Sequence, residues 1–308
     1  MKKLFLSLSL FAALLLSACN HCPFADKKPV PAITAATFNI FMAPTPEKNF
    51  WNERKDAVSA LVLARNFDIF GTQEGFLYQL EDISKATGYK FVGAGRDDGK
   101  HGGEHSAIFY NPVRFELLKS GDFWFAETPD KPVKGWDAMC KRVCSWGEFL
   151  DKISGKKFYF FSLHYDHKGR VARAESSKLL AEKIREIAGG SPAVCVGDFN
   201  ATPDEEPMKI LFADGVLLDS KKLSKTPPYG PRGTWHNMTG TPYHNDRIDY
   251  VFVTNGIDVL SYEVVSDKAS DFDAKKKANP QKKIPEYPSD HFLSLIHISE
   301  PTRPLYIS

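Results

Sequence analysis

The sequence predicts an α/β protein in which two β-sheets pack against each other with helices on the outside. Two observations carry this expectation. Strand-like apolar runs alternate with helical patterns along the chain, an order that lays helices over sheet faces. Several strands are also aromatic at consecutive residues, as in Phe158 to Phe161, so both of their faces must meet apolar surroundings.

In chain order, the strand-like runs are residues 33–40 (ITAATFNI), 67–74 (FDIFGTQE), 106–111 (SAIFYN), 156–167 (KKFYFFSLHYDH), 193–198 (AVCVGD) and 247–253 (RIDYVFV). Two helical patterns lie between them. Residues 52–64 place Ala57, Val58, Leu61 and Val62 on one face, and residues 171–187 do the same with Leu179, Leu180, Ile184 and Ile187.

The first residues are expected to lie outside the fold. Lys2 and Lys3 precede an apolar run from Leu4 to Leu16 that ends in Leu-Ser-Ala-Cys. This is the pattern of an export signal, and its last four residues resemble the lipobox of bacterial lipoproteins, in which the cysteine, here Cys19, is lipidated and becomes the mature N-terminus. Each buried methylene contributes about 0.8 kcal/mol, so several acyl chains on one residue anchor firmly. Residues 1–19 are then a signal and 20–31 a proline-containing tether. The expected location is the bacterial cell envelope, lipid-anchored, periplasmic or at the outer surface.

Removal of Lys2 and Lys3 leaves equal numbers of basic and acidic residues. A protein that grips long nucleic acid through many phosphates normally carries a basic excess, so nucleic acid is a disfavoured partner. Lys275 to Lys277 with Lys282 and Lys283 are a local basic run of the kind that usually forms a solvated loop. Cys140 and Cys144 are near each other in MCKRVCSW and free to pair or not, Cys195 reads as a small buried hydrophobe, and nothing has the spacing of a zinc site.

The polar residues share one address. Asn39 ends the first strand, Gln73 and Glu74 the second, His164 ends FYFFSLH, and Asp198 and Asn200 follow AVCVG. Ligand sites gather at strand ends of layered α/β folds. Carboxylates with a neutral carboxamide suit a hard cation, Mg²⁺ above all with Mn²⁺ as a substitute, and histidines add groups that titrate near neutral pH.

The segments TFNI, GTQE, GEHSAIFYN, SLHYDH, VGDFNATPD, RIDYVFV and SDHF occur in the order and approximate spacing of the endonuclease/exonuclease/phosphatase superfamily, which the chain resembles over residues 33–292. The resemblance implies a deoxyribonuclease I-like, four-layered α/β/β/α sandwich over residues 32–292, and metal-dependent hydrolysis of phosphoester bonds. Residue by residue it implies Glu74 as principal metal carboxylate with Asn39 beside it, and Asp290 as a further metal or water ligand. Asp198 and Asn200 would orient water and contact phosphate, His291 would abut the scissile phosphate with Asp249 orienting it, and His164 would touch phosphate oxygens with Glu104 in support. Arg142 would face the phosphate. Asp198 and His291 remain joint candidates for the general base.

After SDHF the chain reads LSLIHISEPTRPLYIS, which resembles the translation of a sequencing adapter, so residues 293–308 are expected to be a non-native tail. Leu293, Leu295 and His297 nonetheless alternate with Ser294, Ile296 and Ile298 as a strand would, which predicts a strand over 293–298 and an unpacked end from Glu300. Two function classes fit the whole. One is a metal-dependent phosphoesterase, probed further as phosphodiesterase or phosphatase with a nuclease as runner-up. The other is a non-catalytic surface lipoprotein, which would predict missing ligands. The chain is expected to be a monomer. Trp235 and His236 are candidates for stacking on a base or sugar, whereas Trp124, Trp136 and Trp146 read as packing residues.

Overall fold

The computed structural model describes residues 31–272 and 285–299; the predicted leader, nearly all of the tether, the lysine run and the end beyond Ser299 lie outside the described residues. The first half of the chain forms β1 (Ile33–Asn39), α1 (Trp51–Ala64), β2 (Ile69–Gln73), α2 (Leu77–Thr87), β3 (Lys90–Val92), β4 (Ile108–Tyr110), β5 (Phe115–Trp124) and β6 (Val143–Asp151). The second half forms β7 (Lys156–His164), α3 (Arg170–Ala188), β8 (Ala193–Asp198), α4 (Glu206–Asp214), β9 (Leu218–Asp219), α5 (Ser220–Leu223), β10 (Asp249–Val253), β11 (Val259–Val265), α6 (Ala269–Phe272) and β12 (Leu293–Ile298). All six strand-like runs and both helical patterns are present. Strands β5 and β6 escape a search for apolar runs, because β5 is a sheet edge on which most side chains stay partly exposed and β6 is interrupted by Ser145, Gly147 and Glu148.

Two mixed sheets result, ordered β11-β12-β1-β2-β4-β3 and β5-β6-β7-β8-β10-β9. Their packing follows from period-two alternation. Ile33 and Ala35 of β1, Ile69 of β2, Phe158 and Phe160 of β7, Val194 and Val196 of β8, and Val251 and Val253 of β10 meet in one cluster between the sheets. The alternate residues face outward. Ala36, Phe38 and Phe70 join Val58, Leu61 and Val62 of α1 and Leu80 and Ile83 of α2, while Phe161, Leu163, Cys195, Tyr250 and Phe252 join Leu180 and Ile184 of α3 and Met208 and Leu211 of α4. The layers are thus helix, sheet, sheet, helix, the sandwich that the sequence predicts. Fully burying one such Leu, Ile or Phe stabilises by about 1.5–3 kcal/mol, so the alternation is strongly specified.

Strand β12 forms where the alternation of LSLIHI predicts it, between β11 and β1 and antiparallel to both. Ile296 and Ile298 enter the layer between the sheets, and Leu293 and Leu295 the layer under α1 and α2.

The sheets approach closely at Gly71 in β2. A Cβ there would lie 2.4 Å from Cγ2 of Val196 and 2.5 Å from Oγ of Ser162. Gly71→Ala should therefore push the sheets apart or force rotamer changes, at a cost of about 1–3 kcal/mol. Thermal unfolding should show Tm lowered by roughly 2–4 °C for each kcal/mol; an unchanged Tm would contradict the close approach.

Candidate active site

The alternation that buries the inner faces also delivers the site. On β1 it runs Ile33, Ala35, Thr37, Asn39; on β7 Phe158, Phe160, Ser162, His164; on β8 Val194, Val196, Asp198. In each strand the residues facing the other sheet turn from apolar to polar toward the C-terminal end. Register aligns these ends: His164 pairs with Asp198 across the parallel β7–β8 ladder, Asp249 pairs with Asp198 across β8–β10, and Asn39 pairs with Gln73 across β1–β2. One polar row on each sheet therefore faces the other at the same rim.

The two rows touch. Asn39 Nδ2 donates to Glu74 Oε1 at 3.0 Å and to Asp198 Oδ2 at 3.2 Å, while its Oδ1 accepts from Phe41 N at 3.1 Å. Met42 N donates to the other Glu74 oxygen at 2.9 Å. Glu74 has φ 66°, Asn200 φ 48° and Phe41 φ 59°. Left-handed backbone costs a non-glycine residue of order 1–3 kcal/mol, and its concentration here marks a shape held by its surroundings.

Asp198 Oδ1 accepts from Asn200 N at 2.9 Å, closing a turn that returns the carboxamide to the cleft. There Asn200 Nδ2 donates to Tyr165 O at 3.0 Å and lies 3.0 Å from His164 Nε2. Phe199, between them, alternates to the helix side and packs edge-on against Tyr165, Tyr250 and Phe252. A carboxylate and a carboxamide flanking one aromatic are thus the strand's alternation carried into a turn.

Asp290 and His291 come from the segment before β12. Arg54 of α1, fully buried, ties it to the end of β1 by donating to Pro288 O at 2.9 Å and to Ile40 O at 2.5 Å, and also to Phe41 O. His291 Nδ1 lies 2.9 Å from Asp249 Oδ2, and its Nε2 lies 3.8 Å from Asp198 Oδ2. Burial works against charge on His291, yet the carboxylates of Asp249, Asp290 and Asp198 hold its pKa well above the ordinary value. His164 goes the other way: burial, with Arg142 and Arg96 nearby, pushes it well below. One imidazole is kept cationic and the other neutral. Burial, then the Asp249 charge, pushes Asp198 up to about 7, and burial opposed by His291 but aided by Glu74 pushes Asp290 up to about 6.

These groups line an open cleft of about 1030 Å³ with Arg142, Arg96, His167 and Lys168 on one side and Trp235 and His244 on the other. Arg142 is buried, with one nitrogen 3.0 Å from His167 Nδ1 and Nε 3.6 Å from Asp166 Oδ2; its Nε and a terminal nitrogen have no hydrogen-bond partner.

Glu74, Arg142, His164, Asp198, Asn200, Asp290 and His291 are all brought to this cleft, with Asn39 and Asp249 directly behind. Glu104 also lines it, but its role is corrected: its carboxylate takes Arg96 at 2.6 Å rather than supporting His164. Burial, countered by Arg96, raises it to about 7. His236 is corrected as well. It is buried against Tyr287 and Phe292, with ring centroids 4.9 and 4.1 Å away, so it stacks inside the protein and not on a ligand. Cys140, Cys144 and Cys195 are free thiols.

The sequence reading missed Arg54, Arg96, His167 and Lys168. His167 stood in SLHYDH, and a basic residue in the glycine-rich GAGRDDGKHGG was the available sign of Arg96. Arg54 had no sign, being one charged residue on an amphipathic helix.

The donor set fits a divalent cation. The carboxylates of half-buried Glu74 and of buried Asp198 and Asp290 meet here, and burial first, with neighbouring carboxylate charge adding to it, makes Asp198 and Asp290 hold protons more tightly than ordinary carboxylates. Donor atoms of Asp198, Asp249 and His291 all lie within 4.8 Å of one another, but the contact between His291 and Asp249 occupies that pair; Glu74 and Asp290 bring further carboxylate oxygens to the cleft. Cys140, Asp166 and His167 are similarly close. There the carboxylate already accepts from the amides of Cys140, Lys168 and Gly169 and faces Arg142, so a cation gains little.

A sequence model of the Endonuclease/Exonuclease/phosphatase family matches residues 36–291. A Bacteroides thetaiotaomicron protein of that family is 40% identical in its crystal structure and superposes with a TM-score of 0.79, covering 87% of this chain and 97% of that one. A mannosyl-6-phosphatase of the same organism is 39% identical, with a TM-score of 0.78 over 86% of this chain and 99% of its own. An uncharacterised protein of Acanthamoeba polyphaga mimivirus is 34% identical over 187 residues, 57% of this chain and 67% of the viral protein. With the model matching most of its length and the same sandwich beneath the match, the chain belongs to the endonuclease/exonuclease/phosphatase family of hydrolases.

Proposed function

We propose that this protein is a Mg²⁺-dependent phosphoesterase of small phosphorylated molecules, exported and anchored by lipid at Cys19. The observation that carries the reading is the meeting of Glu74 and buried Asp198 and Asp290 with His164, His291 and the half-satisfied guanidinium of Arg142 in one cleft. The near-neutral charge of the chain favours a small ester over a long nucleic acid, and the mannosyl-6-phosphatase at 39% identity points the same way. Mn²⁺ would serve in place of Mg²⁺, and one copy of the chain suffices for the site.

Glu74 and Asp290 would hold the cation, with Asn39 fixing the Glu74 carboxylate. A divalent ion so held supplies charge neutralisation at the phosphate and leaving oxygens. The chain's own groups do the rest. Cationic His291, oriented by Asp249, and Arg142 face the nonbridging oxygens, where charge builds in the transition state. Asn200 and neutral His164 hydrogen-bond to the phosphate and to water. Between the joint candidates for general base, Asp198 is the better: its pKa of about 7 matches a proton acceptor at neutral pH, whereas His291 is already protonated.

Glu74→Gln should lower kcat by at least about a hundredfold while leaving the circular dichroism spectrum unchanged; wild-type turnover would remove Glu74 from the mechanism. Metal binding should also be legible in stability. Asp198 and Asp290 are raised above the ordinary carboxylate range, so between about pH 4 and 7 the metal-free folded state holds protons that the unfolded chain has released, and their contribution to stability falls as pH rises. Mg²⁺ should accordingly raise Tm more at pH 7.5 than at pH 5, and less in Glu74→Gln. An equal rise at both pH values would contradict the carboxylate cluster as the metal's seat.

Asp249→Asn should slow single-turnover hydrolysis by roughly 10–100-fold, through loss of orientation and charge at His291. His291→Ala should slow it further, since the group itself is gone; the reverse ranking would overturn the assigned roles. Cys19→Ser should move the protein from the membrane to the soluble fraction on fractionation, and continued membrane association would point to another attachment.

A further inference from the structure

One corner of the cleft has no part in the steps above. Trp235 lines it, with its ring centroid 4.9 Å from Tyr243 and 5.9 Å from His244, and those two rings meet edge-on at 5.2 Å. Tyr243 is 71% exposed. Trp235 and His244 line the cleft and Tyr243 packs against both, so the rings together form an aromatic surface that water serves poorly.

The corner is also braced. Tyr243 N donates to Trp235 O at 2.8 Å, and a Cβ on Gly233 would stand 2.1 Å from His244 O, so the two arms of the loop are pressed together. Trp235 forms an isolated β-bridge with His291, and Phe292 N donates to Thr234 O at 2.7 Å. The indole therefore rides on the same backbone as the imidazole that faces the phosphate, at an offset the side chains cannot vary freely. A cleft of about 1030 Å³ leaves room for much more than a phosphate.

We propose that Trp235, backed by Tyr243 and His244, is the seat for a ring carried by the leaving alcohol of the substrate. The ligand chemistry is a flat or apolar-faced ring, a hexose or a nucleoside, lying on the indole while its phosphate reaches His291 and Arg142. An aromatic face takes the C–H surface of a sugar or the plane of a base and leaves polar edges free for hydrogen bonds. The proposal rests on the phosphoesterase reading and adds to it the identity of the alcohol side.

The test compares wild type, Trp235→Leu and Trp235→Phe on a hexose 6-phosphate, a nucleoside 5′-monophosphate and glycerol 3-phosphate. Trp235→Leu should lower kcat/KM for a ring substrate by roughly tenfold or more, and much less for glycerol phosphate, with Trp235→Phe restoring most of the loss. Which ring substrate responds identifies the source of the ring. Equal losses on all three, the mark of a merely structural tryptophan, would overturn the proposal, as would no loss on any. A binding arm separates it from the catalytic reading: in calorimetry on Glu74→Gln, the ring ester should bind more tightly than inorganic phosphate, and adding Trp235→Leu should erase the difference. Ring-dependent binding without hydrolysis of any ester by wild type would retire the phosphoesterase reading alone. A ring that adds no affinity would retire the platform alone.

Discussion

The hydrogen bonds from Asn39 to Glu74 and Asp198 hold the functional end of this protein together. Glu74 and Asp198 come from different sheets, and both are acidic. Placing two such carboxylates against each other in a partly buried rim is unfavourable on Coulombic grounds. One neutral amide nitrogen shared between them lowers that cost and sets their separation. It can do so because β1 and β8 lie opposite each other between the sheets, an approach that Gly71 permits one strand away by lacking a side chain. Sheet packing and carboxylate geometry are therefore one constraint.

From that constraint follows the electrostatic character of the cleft. The row His164–Asp198–Asp249 is created by strand register, so its charges cannot move apart to relieve repulsion. Asp249 instead places its charge against His291 and keeps that imidazole protonated, whereas burial, reinforced by Arg142 and Arg96, keeps His164 neutral. Two histidines of identical intrinsic chemistry are thereby divided into a cation and a neutral hydrogen-bonding group. The same logic accounts for Glu104. It lines the cleft, but its carboxylate pairs with Arg96, whereas two nitrogens of Arg142 keep unfilled hydrogen bonds.

Around the reacting centre the cleft is asymmetric. One flank is cationic and suited to phosphate oxygens; the other carries the rings of Trp235, Tyr243 and His244. Both flanks are loops, yet each is tied to a catalytic element, Arg142 immediately before β6 and Trp235 across the bridge to His291. Loops positioned by a rigid scaffold are where specificity is set, and here the scaffold limits the distance between the two flanks.

The sequence by itself determined the strands with a strong apolar or aromatic run, the two long helices, the sandwich class, and the gathering of Asn39, Glu74, His164, Asp198 and Asn200 at strand ends; Asp290 and His291 joined them only through the family resemblance. The strands and the polar ends of β1, β7 and β8 were legible because they rest on local alternation: a residue two positions beyond a buried valine points the same way as the valine, whereas Glu74 stands one residue past that alternation, in a left-handed turn. Strand Leu293–Ile298 was legible for the same reason. What only the tertiary structure decided depends on pairings distant in the chain. Glu104 takes Arg96, His236 packs inside against Tyr287 and Phe292, and Arg54 reaches from a helix to join two loops. None of these has a periodic signature, since a charged or aromatic side chain in a loop has several partners within reach, and only the assembled sheets and their register select one.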